Sequence, residues 1–480
     1  MKTEQLLELI RDGKPMSLRQ EFSLIARLAL PAILAQISTI IMFYIDAAMV
    51  GSLGAKATAS IGLISSPMWL LGGMCTMFSM GFAVQVAQTI GAKDFAGARN
   101  VLRGSFIPTV GFSCAMMAVG VSIHRVLPVA LGGSPEVSEQ ASAYFLVFAL
   151  TMPVAQLHFL GSAMLRCSGN IKLPSILNVI MCLLDVGFNF FLIFESGERT
   201  IMGHTFSAWG AGLGVQGAAL GTGLAFAVTC CATIYFLTVK SAHLNLLQDS
   251  GSFITRRPHL RRAFGISLPM VGQHLVIAGA LTVSMMIVAP LGTVAIAAHT
   301  FGIVVESISY MPGYGLSEAA TTLVGQCIGA KRRKLTVIFA RQCVYLGMLF
   351  MGLMGVFLFT CSPFMMDLMT PDPQVAELAV TCLRIEAFAE PLFAASMVVY
   401  GVCVGAGDTF RPSLMNFACI WGARLTSAYL LAAHFGLVGV WIAMAGELSL
   451  RGMVFLYYLH FAKWFRIEDD RDKNYEAMPA

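Results

Sequence analysis

Apolar residues run along this chain in blocks longer than a globular core helix needs, and polar residues collect in the gaps between them. Crossing roughly 30 Å of hydrocarbon as a helix takes about 20 predominantly apolar residues. Twelve blocks meet that length, at 24–50, 58–89, 104–127, 139–164, 173–195, 210–239, 264–290, 295–328, 342–362, 377–404, 412–434 and 436–462. Each is predicted as a transmembrane helix. Residues 1–22 are polar and helix-like with no apolar h-region, so no secretory signal is expected there. The closing "KWFRIEDDRDKNYEAMPA" reads as a solvated tail.

Composition strengthens the membrane reading. Hydrophobic residues make up 57% and charged residues 12%, about half the charge of a soluble domain, and mean hydropathy is +0.75. The net charge of +5 would fit a nucleic-acid partner if it formed one basic face, but it does not. With the spans numbered in order, basic residues such as Arg11, Lys14, Lys93, Arg99, Lys172, Arg256, Arg257, Lys331, Arg332 and Arg411 fall in the N-terminal segment and the even-numbered loops. The odd-numbered loops hold only Lys56, Arg125 and Arg199. This asymmetry follows the positive-inside rule, with both termini cytoplasmic, and excludes an RNA-binding patch. The twelve cysteines lie mostly inside predicted spans and form no C-x-x-C, so they read as small apolar residues.

A duplication organises the spans. The quartet I-G-A-K begins at Ile90 and again at Ile328, 238 residues later. The same shift carries Leu30-Pro31 onto Leu268-Pro269, Leu53-Gly54 onto Leu291-Gly292, Pro153 onto Pro391, Gly169 onto Gly407 and Asn178 onto Asn416. Past that point "GVQGAA" at Gly214 answers to "GLVGVW" at Gly436, a shift of 222, so the first copy carries 16 extra residues. They are placed at 195–210 as an elaborated external loop. Six spans per copy is an even number, so both copies enter the bilayer from the same side. The expected fold is an all-α membrane protein of twelve transmembrane helices, in two six-helix lobes related by a pseudo-two-fold axis along the membrane normal. The N-terminal lobe is 1–240, a cytoplasmic linker is 241–262, the C-terminal lobe is 263–465 and the tail is 466–480. A cleft between such lobes can open to either side, which is the geometry of transport.

Charged groups within spans are costly and mark functional sites. The first copy has two acids, Asp46 and Asp185. Asn178, Asp185 and Asn189 are separated by seven and four residues, which at about 100° per residue puts them within roughly 40° of one another. Oxygen ligands around one or two carboxylates suit a hard monovalent cation or a proton. The competing role for the asparagines, Asn178 above all, is hydrogen bonding between helices. The second copy is an internal control. At the 238 shift Asp46 becomes Ser284, Asp185 becomes Ala423 and Asn189 becomes Ser427. The scaffold is repeated and the acids are not, which assigns the coupling-ion site to the first lobe. The second lobe has its own charges, Glu306, Glu318, Glu386, Glu390, Arg424, Glu447 and Arg451. Glu447 and Arg451, four apart, form a self-neutralising pair. Glu306, Glu386 and Glu390 are candidates to face the cleft and attract cationic substrates, or to pair with Arg424. No nucleotide loop, nucleophile elbow or metal-ligand spacing is present. Energy must then come from an ion gradient, about 2.3 kcal/mol per charge per 100 mV.

Taken together, "LALPAI" with "YIDAAMVGSLG", "APLGTVAIAAHTFG", both I-G-A-K loops, "LRCSGNIKLPSILN" with "VGAGDTFRPSLMN", and "GVQGAALGT" resemble the multidrug and toxic compound extrusion (MATE) family over about 24–462. The resemblance implies a transporter of the inner or plasma membrane that works as a monomer. It would export organic cations and amphipathic drugs in exchange for Na+ or H+, with no other cofactor. It also implies a first-lobe cation site built from Asp46, from Asp185 with Asn189, and from a sixth-helix hydroxyl, here Thr222. The family's common N-x-x-x-D order is reversed in this chain to D-x-x-x-N, and "GQHLVIAGALTVSMMIVAPLG" carries no seventh-helix acid. The other readings are a flippase for a lipid-linked precursor on a related plan, which generally has a basic cleft, and a membrane enzyme, for which no catalytic constellation is found.

Overall fold

A computed structural model describes residues 2–201, 204–254, 256–462 and 464–465; the predicted tail lies outside them. Among the described residues, ten helices are long and apolar enough to cross a membrane. A short amphipathic helix, α1 (Thr3–Asp12), precedes them. The first copy forms α2 (Leu18–Gly51), α3 (Ala55–Gly91), α4 (Phe95–Ile123), the one-turn α5 (Val126–Ala130), α6 (Pro135–Cys167), α7 (Lys172–Ile193) and α8 (Gly214–Tyr235). The second forms α9 (Arg257–Val288), α10 (Thr293–Gly329), α11 (Arg333–Met369), α12 (Pro373–Ala387), α13 (Glu390–Ala406), α14 (Phe410–Phe417) and α15 (Leu425–Phe461).

Two features bring these helices to twelve crossings. Helices α12 and α13 meet at a bend of 58° and act as one broken span. Pro391, the second residue of α13, has no N–H to continue the ladder from α12. The 52-residue stretch Phe410–Phe461 would be about 78 Å long as one straight helix, but the chain turns back at Gly436, whose φ is 58° and ψ −138°. The turn is tight: a Cβ on Gly439 would sit 2.3 Å from the Leu431 carbonyl oxygen. Pro31, Pro67, Pro153, Pro269 and Pro312 lie inside helices that continue past them.

The 195–210 insertion forms an antiparallel hairpin, β1 (Glu195–Ile201) and β2 (His204–Ala211). It pairs from Glu195↔Ala211 to Ile201↔His204. The Ser196 hydroxyl fastens its base by donating to Gly210 O and accepting from Gly210 N, both at 3.0 Å.

The duplication is written in the backbone. Left-handed residues recur at the sequence shift: Gly54 (φ 108°) with Gly292 (102°), Lys93 (61°) with Lys331 (59°), and Gly169 (98°) with Gly407 (82°). Gly214 (55°) and Gly436 (58°) recur at the second shift. Within the first copy α3 packs on α4 and α6, α6 on α8, and α7 on α2 and α8; in the second, α10 packs on α11 and α13, and α13 on α15. The copies meet where α2 and α3 touch α9 and α10. That seam is tightest at the end carrying both I-G-A-K sequences and α1, here termed the basic end. Gly81–Gln88 of α3 are buried without interruption, as are Ala319–Cys327 of α10. At the far end of α3, Ala55, Lys56, Thr58, Ala59 and Gly62 are exposed.

Candidate functional site

Helix α2 runs from the basic end outward and stops at Gly51. Asp46 therefore lies about 7–8 Å along the axis from that far end. Helix α7 lies against it and presents Asp185 and Asn189 one turn apart, 0% and 1% exposed. The Asn189 side-chain amide joins the two acids, donating from Nδ2 to Asp46 Oδ1 at 3.0 Å and to Asp185 Oδ2 at 3.3 Å. Helix α8 closes the third side. A Cβ on Gly221 would sit 2.0 Å from Asn189 Oδ1, and one on Gly217 would sit 2.4 Å from the Leu192 carbonyl oxygen. These two glycines, four apart, let α8 lie against α7 closely enough to confine the asparagine. The Thr222 hydroxyl donates to Ala218 O at 3.1 Å and faces Asp185. Tyr144 of α6 closes the fourth side, toward both acids, and packs into an apolar layer of Val50, Ile193, Val215 and Ala218.

Two oxygens in this chamber, Asp185 Oδ1 and Asn189 Oδ1, are buried with no hydrogen-bond donor. A buried acceptor without a donor is destabilising, by about 1–3 kcal/mol and more for a charged group. The remedy is a positive charge brought to the oxygens. The donors available, carboxylate, amide and hydroxyl oxygens, are those a hard cation takes, and either carboxylate can hold a proton instead. Asn178 does not reach the chamber. It lies almost two turns below Asp185, and its Nδ2 donates to Ala35 O at 3.1 Å and Thr39 Oγ1 at 3.0 Å, joining α7 to α2. That contact matches the bonding role its spacing left open.

The second-lobe acids gather in a different place. Glu306 (α10), Glu386 (α12), Glu390 (α13) and Glu447 (α15) are 6%, 1%, 1% and 2% exposed, inside the bundle and around the break between α12 and α13. Glu390 accepts from the Ser309 hydroxyl, while both Glu386 oxygens are without a donor. Glu447 and Arg451 are 3.1 Å apart, the neutralising pair expected from their spacing. Arg424 provides the positive charge that acts on Glu306 and Glu386, with its guanidinium against Met444. Glu318 faces the other lobe, 3.5 Å from Arg166.

The MatE family model matches this chain twice, over residues 31–191 and 269–430, and the two matches begin 238 residues apart and cover more than half of it. The chain belongs to the MATE family of membrane transporters. Membership makes it a transporter and not an enzyme. It is 26% identical over 440 residues to a protein of Thermotoga maritima named "Probable multidrug resistance protein NorM", covering 91% of this chain and 92% of the relative. To a protein of the same name from Pseudomonas aeruginosa it is 27% identical over 455 residues, covering 89% and 87%. An outward-facing multidrug resistance MATE transporter structure superposes with a TM-score of 0.83 at 20% identity, over 95% of this chain and 98% of that one. A point mutant of the Vibrio cholerae MATE transporter VcmN superposes at 0.82 and 18%, over 96% and 97%. At such identities these structures show a shared fold.

Two residues of the candidate site in this MATE protein, Tyr144 and Gly221, do not stand out in the sequence. Tyr144 carries no formal charge and sits in a span rich in aromatics, so nothing in the pattern marks it. Gly221 had a signal: with Gly217 it forms a small-residue face at helical spacing, the mark of close helix approach.

Proposed function

We propose that this MATE protein is a secondary antiporter of the bacterial plasma membrane, acting as a monomer with both termini cytoplasmic. It exports cationic and amphipathic drug-like compounds in exchange for inward Na+ or H+. One observation carries the coupling assignment: the Asp46–Asn189–Asp185 chamber, with two carboxylates joined by one amide and two acceptor oxygens lacking donors. A cation or proton entering it neutralises charge shared between α2 and α7, and α2 is a helix at the lobe seam. Binding therefore changes the energy of an element that must move when the lobes rock. The names of the relatives support drug export, and the buried second-lobe charge is mainly acidic, at Glu306, Glu386, Glu390 and Glu447, which is the opposite of the basic set that the phosphates of a lipid-linked precursor would need.

Dye efflux from everted vesicles, driven separately by an imposed Na+ gradient and an imposed pH gradient, tests the reading. Asp185→Asn and Asp46→Asn are each expected to abolish gradient-driven export, a loss of about 100-fold or more. Undiminished export by Asp185→Asn would remove the first-lobe assignment.

A further inference from the structure

The glycine of each I-G-A-K sequence lies where α3 and α10 cross at the basic end. A Cβ on Gly91 would sit 2.1 Å from Gln326 O, and one on Gly329 would sit 1.9 Å from Gln88 O. These contacts are one contact seen twice, since Gln88 and Gly91 map onto Gln326 and Gly329 at the 238 shift. The glutamine side chains obey the same symmetry. Gln88 Nε2 donates across the seam to Gly405 O at 3.0 Å, and Gln326 Nε2 donates back to Cys167 O at 3.1 Å. The acceptors are also 238 residues apart.

A glutamine amide can present either end to a carbonyl, and only the NH2 end binds it. Something must fix the choice, and in both copies an arginine does so. Arg262 donates to Gln88 Oε1, and Arg11 Nη2 donates to Gln326 Oε1 at 3.3 Å. The repeat does not supply these arginines. The shift mate of Arg262 is Leu24, and that of Arg11 is Asp249. One arginine comes from the start of α9 and the other from α1, which lies outside the duplicated spans. Two unrelated segments have placed the same group on the same atom of two related glutamines.

Arg11 is itself held. It is 2% exposed, bonds Glu4 at 2.6 Å and reaches Ser168 O at 3.5 Å. Burial alone would push the Glu4 carboxyl up, but hydrogen bonds and charge from His243 and Arg11 overrule it and hold it down at about 2. Leu6, Leu7 and Ile10, all buried, seat α1 on both lobes.

We propose that Arg11 and Arg262 are positioning residues of the transport cycle, which orient Gln326 and Gln88 so that both amides donate across the seam and close the basic end. This rests on the transport reading for its meaning, while its test needs no ion or substrate. Hydrogen exchange of the full-length protein would be followed at Val84–Gly91 and Leu323–Gly329. Arg262→Ala and Arg11→Ala are each expected to speed exchange in both segments about fivefold, the equivalent of one net hydrogen bond. Arg262→Lys, which keeps a donor for Oε1, should restore most of the protection. Gln88→Met should reproduce Arg262→Ala, and the double variant should be no faster than either single one. Arg262 is exposed, so its variants are expected to fold even where Arg11→Ala does not. Unchanged exchange at the seam in Arg262→Ala, or a double variant whose effects multiply, would overturn the proposal. So would acceleration spread evenly through α6 and α8.

Discussion

At the scale of single residues, the chamber in the first lobe is made by side chains that restrain one another. Asn189 spends both amide hydrogens on the two acids, which leaves its carbonyl oxygen without a hydrogen-bond partner and open to the cation proposed above. That arrangement absorbs the reversed order of the motif: with the asparagine one turn nearer the outer end than Asp185, its amide still reaches Asp46 on the neighbouring helix. Gly221 holds the asparagine in place. Gly221→Ala would put a methyl 2.0 Å from Asn189 Oδ1, and overpacking of this kind is worth about 1–3 kcal/mol. The prediction is a rise of about tenfold in the half-saturating concentration of the coupling ion, with helix content kept. The measurement is initial efflux rate against ion concentration in proteoliposomes, and an unchanged half-saturation would show that the asparagine does not help bind the ion.

At the scale of elements, spans were legible because hydrocarbon filters composition so strongly, and their ends were not. Helix α11 runs over Arg333–Met369 where apolarity predicts 342–362, since a helix does not stop at the membrane surface and its polar turns carry no hydropathy signal. The sequence singles out Asp46 and Asp185 as candidates because charge is rare in lipid. It does not show Tyr144, whose significance comes from what it faces, or the hairpin at 195–211, whose strands are too short and polar for a periodic pattern. Turns that depend on glycine were partly readable, since Gly214 and Gly436 open matching segments of the repeat. Gly436, at φ 58° and ψ −138°, occupies a region nearly closed to residues with a Cβ. Gly436→Ala is predicted to lower stability by about 1–3 kcal/mol, although a Cβ there would meet nothing within 4 Å. Thermal unfolding in detergent would measure it, and no loss would mean that the turn relaxes into an allowed conformation without disturbing the last two spans.

At the scale of the whole molecule, the two lobes are tied at one end and freer at the other, and the tie is symmetric while the Asp46–Asp185 chamber is not. Duplication gives each lobe the same seam parts. The copies differ in the acids within their spans: the first holds Asp46 and Asp185, and the second holds a glutamate cluster around its broken helix. A symmetric seam makes a sharp demand: Gly91→Val and Gly329→Val should have the same effect, because each forces a side chain against the opposite glutamine's backbone oxygen. Both should hold the basic end ajar. Cys167 and Cys327, 1% and 0% exposed beside that seam, are native reporters. Their maleimide labelling is predicted to accelerate about 10- to 100-fold in either variant, from an overpacking penalty of about 1–3 kcal/mol. Export should fall while each lobe stays folded. Gly187→Val is the control, since Gly187 is a helical glycine of α7 with nothing within 4 Å of its Cβ position, and it should leave both cysteines protected. Should only one of the two seam variants expose the cysteines, closure would depend on one lobe's helix and not on the crossing of both. The recurrence of I-G-A-K would then reflect ancestry without a shared mechanical role.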